Sequence, residues 1–441
     1  MTSTTDVGGR RKCRGSRYDE EVMKDITKAT AGADGALTIS RASNRIYSLR
    51  TTCRSCKGDM ESVLDLGEQF LVGFVSDPFD PMLPRAPLHL VRCTACGLLQ
   101  LLHTVDHDRL FRTYWYRSSV NQSMRLALDD LVSDALNFVS EGTWLDIGAN
   151  DGYLLSKVPD KFKRIACEPA RSFQEDLHKV ADVVIGDFFS AEHDALVSGR
   201  EGTCNVITSA AMFYDVDEPD EFVADIAKAL APGGVWVNQL NDSPTMLEKN
   251  AFDAICHEHL CYYDVPTLAK LYGRHGLSII SVTYNEVNGG SVRIVATKQS
   301  GIVTPISVAG FRRPTAGDCR RFANRVAKWR QTMLDMLQGP MSMSGQTWLY
   351  GASTKGSVLL QYLDANAHFA GIADRNPAKE GLYLAGTTLS IVNEDAMRSQ
   401  CPRYLMALPW AFRDEFVKRE RQLLDSGTTF VFPLPSIEFV P

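Results

Sequence analysis

Nowhere in the 441 residues is there an apolar run long enough to span a membrane, which takes about 20 residues. No membrane partner is expected. The N-terminal stretch, rich in Thr, Gly, Arg and Lys, also lacks the apolar segment of a secretory signal. There is no basic excess: Lys and Arg number 47 against 53 Asp and Glu, a net charge of −6. Nucleic-acid binders usually show a basic balance or stripe, so no nucleic-acid partner is expected. A disulfide framework is the poorer fit as well. The 11 cysteines are odd in number and mostly stand singly, which fits reduced thiols in a cytoplasm plus one clustered set. No Gly-x-Gly-x-x-Gly turn, Walker loop or His-Glu-x-x-His pair is found, so the commonest dinucleotide, nucleotide and zinc-peptidase sites are absent.

The hydrophobic share of 44% is ample for two or three packed cores. Residues 1–50 read as a flexible N-terminal extension, with a short helix at most from Glu20 to Lys28. Residues 51–112 hold two Cys-x-x-Cys knuckles, Cys53/Cys56 and Cys93/Cys96, the latter followed by Gly97. Four thiolates suit tetrahedral Zn²⁺ and leave no open position, so the metal is expected to be structural. The gap between the pairs is longer than in a usual zinc ribbon, and a thioredoxin-like motif lacks its βαβ setting. Val63–Gly67 and His89–Arg92 are expected to be strands beside the metal.

Residues 113–300 read as an α/β domain. Tyr114, Tyr116, Ser118 and Ser119 precede an amphipathic helix with Met124, Leu128, Leu131, Ala135 and Phe138 on its apolar stripe. The two tyrosines and Ser118 are either packing groups or the wall of a polar pocket, since hydroxyls donate and accept. The run Trp144-Leu145-Asp146-Ile147-Gly148-Ala149-Asn150-Asp151-Gly152 reads as a strand entering a glycine turn and a helix. Glycine permits close backbone approach to a ligand, and helix N-termini favour anionic groups. Further strands end in Glu168, in Asp187-Phe188 and at Ala210, and a fifth covers Gly234–Gln239. A carboxylate at Glu168 can accept from both ribose hydroxyls. Asp187 can accept from an adenine amino group while Phe188 packs on the ring. Ligands bind at such strand ends in open α/β sheets.

Beyond the fifth strand stands Cys256-His257-Glu258-His259. Two histidines and an acid beside a cofactor sheet point to acid–base work. A metal held by these histidines with Cys256 and Cys261 is the alternative. The turn Asn288-Gly289-Gly290 either approaches a substrate, through Gly290, or is a hairpin bend. Residues 301–345 form a connector with a helix from Asp318 to Leu337, striped by Phe322, Val326, Trp329, Met333 and Leu337. Residues 346–441 repeat strand, glycine turn and helix, and Ser353, Thr354 and Lys355 at the helix start can hold phosphate oxygens. At Asp374-Arg375-Asn376-Pro377, phosphate contact and helix capping both stay open. Leu408–Glu415 is expected to open the final helix.

The Asp146–Gly152 turn resembles the first motif of class I S-adenosylmethionine-dependent methyltransferases, which holds the amino acid end of the donor. The resemblance implies Asp146, Gly148, Asn150, Gly152, Glu168, Asp187, Phe188 and Ala210 as cofactor-binding residues. From Cys53 onward the paired knuckles, this turn, His-Glu-His, Gly-Ala-Ser-Thr-Lys-Gly, Asp-Arg-Asn-Pro and Pro-Trp-x-Phe-Arg together resemble the bacterial nucleotide-sugar C-methyltransferases of deoxysugar pathways. That family implies a small N-terminal zinc module, a central class I Rossmann-like domain and a C-terminal second Rossmann-like α/β domain. It implies methylation of a carbon beside the carbonyl of a nucleotide-linked 4-keto-deoxysugar, with a dTDP-linked substrate, in antibiotic pathways. His259 takes the role of base with Glu258 beside it, and Tyr114 or Tyr116 that of a donor to the enolate oxygen. Tyr116, Ser118, His257, Gly290, Ser353, Thr354 and Lys355 are expected to touch substrate. One departure is Cys256, where relatives often carry Tyr. O-methylation of another small molecule, methylation of RNA and an inactive zinc-stabilised scaffold stay open as rivals. A cytoplasmic monomer or weak homo-oligomer is expected.

Overall fold

The computed structural model describes residues 46–441 apart from 113, 115, 121, 194–195, 199–200, 299–304 and 343–345. The short helix expected at Glu20–Lys28 and most of the N-terminal extension lie outside the described residues. Three sheets carry the chain. In the first, antiparallel strands run in the order Cys261–Tyr262, Leu99–Leu101, Arg85–Cys93 and Met60–Phe70. Its strands are longer than the expected Val63–Gly67 and His89–Arg92, and register shifts between Ser62 and Leu64 and between Asp65 and Glu68 interrupt the alternation that marks a strand in sequence.

The second sheet has seven strands in the order Leu277–Asn285, Ser291–Lys298, Leu230–Asn241, Cys204–Ala210, Gly142–Ile147, Phe162–Cys167 and Val183–Ile185. The last five are parallel and Ser291–Lys298 is antiparallel to both neighbours. Trp144, Leu145 and Ile147 are all buried, as expected of a central strand covered on both faces. The chain leaves Gly142–Ile147 to one side and returns on the other through Cys204–Ala210. This reversal opens a crevice at the strand C-termini. The third expected strand stops at Ile185, so Asp187 and Phe188 stand beyond the sheet.

The third sheet repeats the scheme. Its order is Ile391–Val392, Ile372–Ala373, Thr347–Tyr350, Tyr404–Ala407, Thr429–Phe432 and Glu438–Val440, parallel except for the last. Between the second and third sheets runs the helix Ala316–Gln338. A capping box, with Thr315 and Asp318 each accepting from the other's backbone N–H, starts it. All five expected stripe residues, Phe322 to Leu337, are buried. On the helix Gln122–Leu136, by contrast, Phe138 lies past the last turn and is exposed, so the apolar stripe ends at Ala135. Leu408–Glu415 opens as a single 3-10 turn, Trp410–Phe412, before the helix Arg413–Arg419. One apolar core is continuous through all three sheets, from Leu88 and Leu90 through Trp236 and Phe322 to Phe430. Among the described residues, no helix is long and apolar enough to cross a membrane.

Candidate functional site

The four knuckle cysteines converge. Their sulfur atoms all lie within 4.8 Å of one another, with Cys53–Cys96 at 3.5 Å and Cys56–Cys93 at 3.4 Å. A tetrahedral Zn²⁺ with bonds near 2.3 Å spaces its sulfurs roughly 3.8 Å apart, so the set fits the metal. Donors face the sulfurs: Cys96 N–H to Cys93 Sγ at 3.3 Å and Gln100 Nε2 to Cys53 Sγ at 3.2 Å. Gly97 has φ +78°, the left-handed turn that glycine makes cheap.

A cleft of about 1220 Å³ opens at the C-terminal ends of the second and third sheets and draws residues from both. It exceeds the roughly 300–1000 Å³ of a single-ligand pocket, which leaves room for two ligands. On one side it is lined by Asp146, Gly148, Ala149, Asn150, Glu168, Phe188 and Ala210. Most backbone N–H groups of the glycine turn are spent within the protein. Gly148 and Ala149 donate to Cys167 O (2.9 and 3.3 Å), Gly152 to Ala149 O (3.0 Å), and Asn150 to Glu168 Oε2 (2.8 Å). The groups left for a ligand are therefore acceptors. Asp146 is buried, takes a hydrogen bond from Thr208 (2.6 Å), and is pushed up to about 7 by burial. Glu168 accepts one N–H on each oxygen, from Asn150 and Ala170 (both 2.8 Å), and each oxygen keeps a further lone pair. Burial raises it too. A ligand bearing an ammonium group, a sulfonium and ribose hydroxyls answers this acceptor-rich wall. S-adenosylmethionine is such a ligand. Asn150 ties the wall together, accepting from Ser118 N–H (3.0 Å) and donating to Tyr116 O (2.9 Å). Arg112 lies 4.7 Å from the centre of the Phe188 ring.

The cleft is also lined by Tyr114, Tyr116, Glu258, His259, Ser353, Thr354 and Lys355. His259 Nδ1 is 2.9 Å from Ala254 O. A carbonyl only accepts, so Nδ1 carries the proton and Nε2 keeps its lone pair. The ring lies 4.3 Å from that of Tyr214. Burial, then the charge of Lys355, pull the imidazole down to about 3, so it is neutral at physiological pH. Glu258 is buried, faces the Cys256 thiol at 3.7 Å, and is pushed up to about 7 by burial. The helix Thr354–Leu363 is capped by the Ser353 hydroxyl (3.1 Å to Gly356 N) and aims its N-terminus at the cleft. Lys355 Nζ donates to Asn288 O at 2.8 Å across the second and third sheets.

Several expected site residues stand elsewhere. His257 is turned away from the cleft, with Nε2 2.8 Å from Ala86 O in the first sheet. Gly290 faces Thr245, where a Cβ would come within 2.5 Å of a methyl group, and Ser291 and Asn288 line the cleft instead. Gly152 serves packing: at φ +77° a Cβ would lie 2.7 Å from Val180. Asp187, past its strand end, pairs with Arg112 (2.9 Å) and solvent. Ser118 lines the cleft, but its hydroxyl donates to Asp151 (2.8 Å). Asp374, Arg375, Asn376 and Pro377 do line the cleft, and around Asp374 capping contacts are made as well. The Asp374 carboxylate takes Ala352 N–H, Asn376 N–H and Lys379 Nζ, and Asn376 caps the turn at Pro377–Lys379. Sequence reasoning missed Tyr214 and Asp215, which line the cleft just past Ala210. Their signal was position at the end of a parallel strand beside the topological reversal.

Three family models follow one another along the chain. They are a zinc binding domain (residues 53–111), a methyltransferase domain (residues 102–282) and a C-methyltransferase C-terminal domain (residues 286–435). The C-methyltransferase NovU of Streptomyces niveus is 26% identical over 407 residues, 87% of this chain and 95% of NovU. Similar solved structures include the Burkholderia thailandensis 1,6-didemethyltoxoflavin-N1-methyltransferase with S-adenosylhomocysteine bound, at 13% identity and TM-score 0.32, covering 40% of this chain and 80% of that one. Another is the PH0226 protein of Pyrococcus horikoshii, at 12% identity and TM-score 0.35, covering 44% and 98%. With its thiolate cluster, its seven-stranded sheet and the donor wall at the strand ends, the chain is an S-adenosylmethionine-dependent methyltransferase with a structural zinc site, and its three domains match in order the models of a zinc binding domain, a methyltransferase domain and a C-methyltransferase C-terminal domain.

Proposed function

We propose that the protein methylates a ring carbon of a nucleotide-linked 4-keto-deoxysugar, in the cytoplasm and on an antibiotic pathway. The observation that carries this reading is His259. Its Nδ1 proton is held by Ala254 O, and its Nε2 lone pair belongs to a cleft with room for donor and sugar together. The C–H beside a carbonyl is acidic, and a neutral imidazole has the lone pair to take its proton. S-adenosylmethionine supplies an electrophilic methyl group on a sulfonium. Asp146 and Glu168 orient that donor through its ammonium and hydroxyl groups. Tyr114 and Tyr116 line the same cleft as His259 and donate to the carbonyl oxygen. Ser353, Thr354 and Lys355, at the start of the capped helix, hold the diphosphate of a thymidine-linked sugar. In this division residues 51–112 form the zinc module, 113–300 the donor domain, 301–345 the connector and 346–441 the nucleotide side.

The test is to incubate the protein with donor and a thymidine-diphosphate 4-keto-6-deoxyhexose, then locate the new methyl group by NMR. A methyl bonded to carbon is expected. A methyl ether overturns the carbon assignment.

A further inference from the structure

The His-Glu-His segment does not stand alone. Leu260 N–H donates to Tyr214 O (2.9 Å), and the Tyr214 ring packs on His259. This zips residues 213–215, just past the strand Cys204–Ala210, onto residues 256–260. Asp215 and Glu258 thereby line the same cleft, near enough for the charge of Glu258 to act on Asp215. Asp215 Oδ1 is buried and has no hydrogen-bond partner among the described residues. No basic side chain forms a salt bridge with either acid among the described residues. The titratable groups around the two among the described residues are Cys256, Tyr114, Tyr116, Tyr214, Tyr262 and His259. Among the described residues Lys355 is the cation whose field is felt at His259, and Arg117, Arg375, Lys379 and Arg419 also line the cleft. Asp108 and Arg109 lie beyond, on a smaller cavity that Glu258 and Tyr114 also border. Burial raises both acids, and the Glu258 charge raises Asp215 further. Two like charges held close together oppose each other's ionisation. Cys256 offers no substitute donor to the cleft: it is fully buried and its thiol faces Glu258.

We propose that Asp215 and Glu258 share one proton, so that a neutral carboxylic acid stands beside the neutral imidazole of His259 and hydrogen-bonds the substrate carbonyl oxygen. The site then pairs a base with an acid at one corner. His259 Nε2 takes the C–H proton, the C–H electron pair moves into the enolate, and the carboxylic acid stabilises the oxygen without giving up its proton. The substrate class this selects is an enolisable ketone. The inference rests on the C-methylation reading for its chemistry, though the shared proton itself does not.

Infrared difference spectra test the proton directly, on the full zinc-loaded protein with no substrate. Wild type minus the double variant D215N/E258Q at pH 7 is expected to show one neutral carboxylic acid and one carboxylate. Two neutral acids, or none, overturn the proposal. In a second measurement, D215N removes the like charge, so the activity it retains should fall off as pH rises at a proton concentration at least about tenfold higher than in wild type. An alkaline limb unmoved in D215N also overturns it. If no keto-sugar is turned over by wild type, the C-methylation reading fails, while the infrared count still decides the shared proton.

Discussion

The neutral imidazole of His259 can be tested without knowing the substrate. An ordinary histidine charges near 6.5, and here burial and Lys355 hold it down to about 3. Its folded-state affinity for a proton is thus below its unfolded one. The stabilisation tied to the neutral form is fully present above pH 6.5 and is lost as pH falls toward 3. At pH 5 the unfolded chain has bound the proton and the native state has not. The gap from 6.5 is about 1.5 pH units, or about 2 kcal/mol of stability lost by this group relative to pH 8. His259→Asn lacks this loss, and its amide can still donate to Ala254 O. The gap between variant and wild type in urea unfolding, with zinc in excess, should therefore shift by about 2 kcal/mol in the variant's favour between pH 8 and pH 5. Nitrogen-15 spectra of histidine-labelled protein should show the His259 signal, assigned by its loss in the variant, as the Nδ1–H tautomer throughout that range. Turnover by the variant should drop by about 10²–10⁴ while donor affinity holds, because it removes a general base and nothing at the donor wall. An imidazole that titrates near 6.5, or a stability gap that does not move with pH, would refute the reasoning.

Glu168→Gln replaces an acceptor of two backbone N–H groups by an amide that must aim a donor at one of them; calorimetric donor affinity should weaken about tenfold to a hundredfold with the fold retained. Gly152→Ala should lower stability by about 1–3 kcal/mol through strain at positive φ and contact with Val180, leaving the donor affinity of the folded fraction unchanged, as read by denaturation and calorimetry. Chelating the zinc, or substituting Cys93→Ser, should release one metal ion per chain and sharply lower the unfolding temperature, with loss of turnover following loss of fold. A variant lacking zinc yet equally stable counts against a structural metal.

The donor side was legible in sequence because its signals are local. The turn at Asp146–Gly152 and the acid at Glu168 sit at fixed offsets from strands whose burial leaves near-continuous apolar runs. The connector helix was legible for a similar reason: its stripe and the Thr315–Asp318 cap agree. The misassigned residues depend on contacts far along the chain. His257 and His259 look equivalent in sequence. One meets Ala86, 171 residues away, and the other Ala254 across a tight turn. Only that difference aims one ring at the cleft. Gly152 and Gly290 illustrate the same limit, since a glycine needed for packing against Val180 or Thr245 reads like one needed for a ligand.

The zinc module's place in the chemistry follows from what it braces. Gln100 donates to Cys53 Sγ and accepts from Arg54 N–H (3.0 Å), so metal knuckle and strand are one unit. Arg54 is fully buried and reaches Thr104 (2.7 Å) and Asp217 (2.9 Å). Asp217 lies two residues past Asp215 on the same cleft-lining segment. The strand Leu99–Leu101 pairs with Cys261–Tyr262, and Leu101 N–H donates to Leu260 O (2.9 Å), one residue from His259. Both halves of this cleft corner, the one with Tyr214 and Asp215 and the one with Glu258 and His259, are thus fastened to a single sheet stapled at the cysteine cluster. A buried guanidinium whose carboxylate partner sits at the cleft tolerates little displacement, because separating the pair leaves a charge stranded in a dry interior. Four cysteines leave a zinc no open position for catalysis; the sheet they staple joins the direct Leu260–Tyr214 hydrogen bond in holding residues 213–217 against residues 256–260.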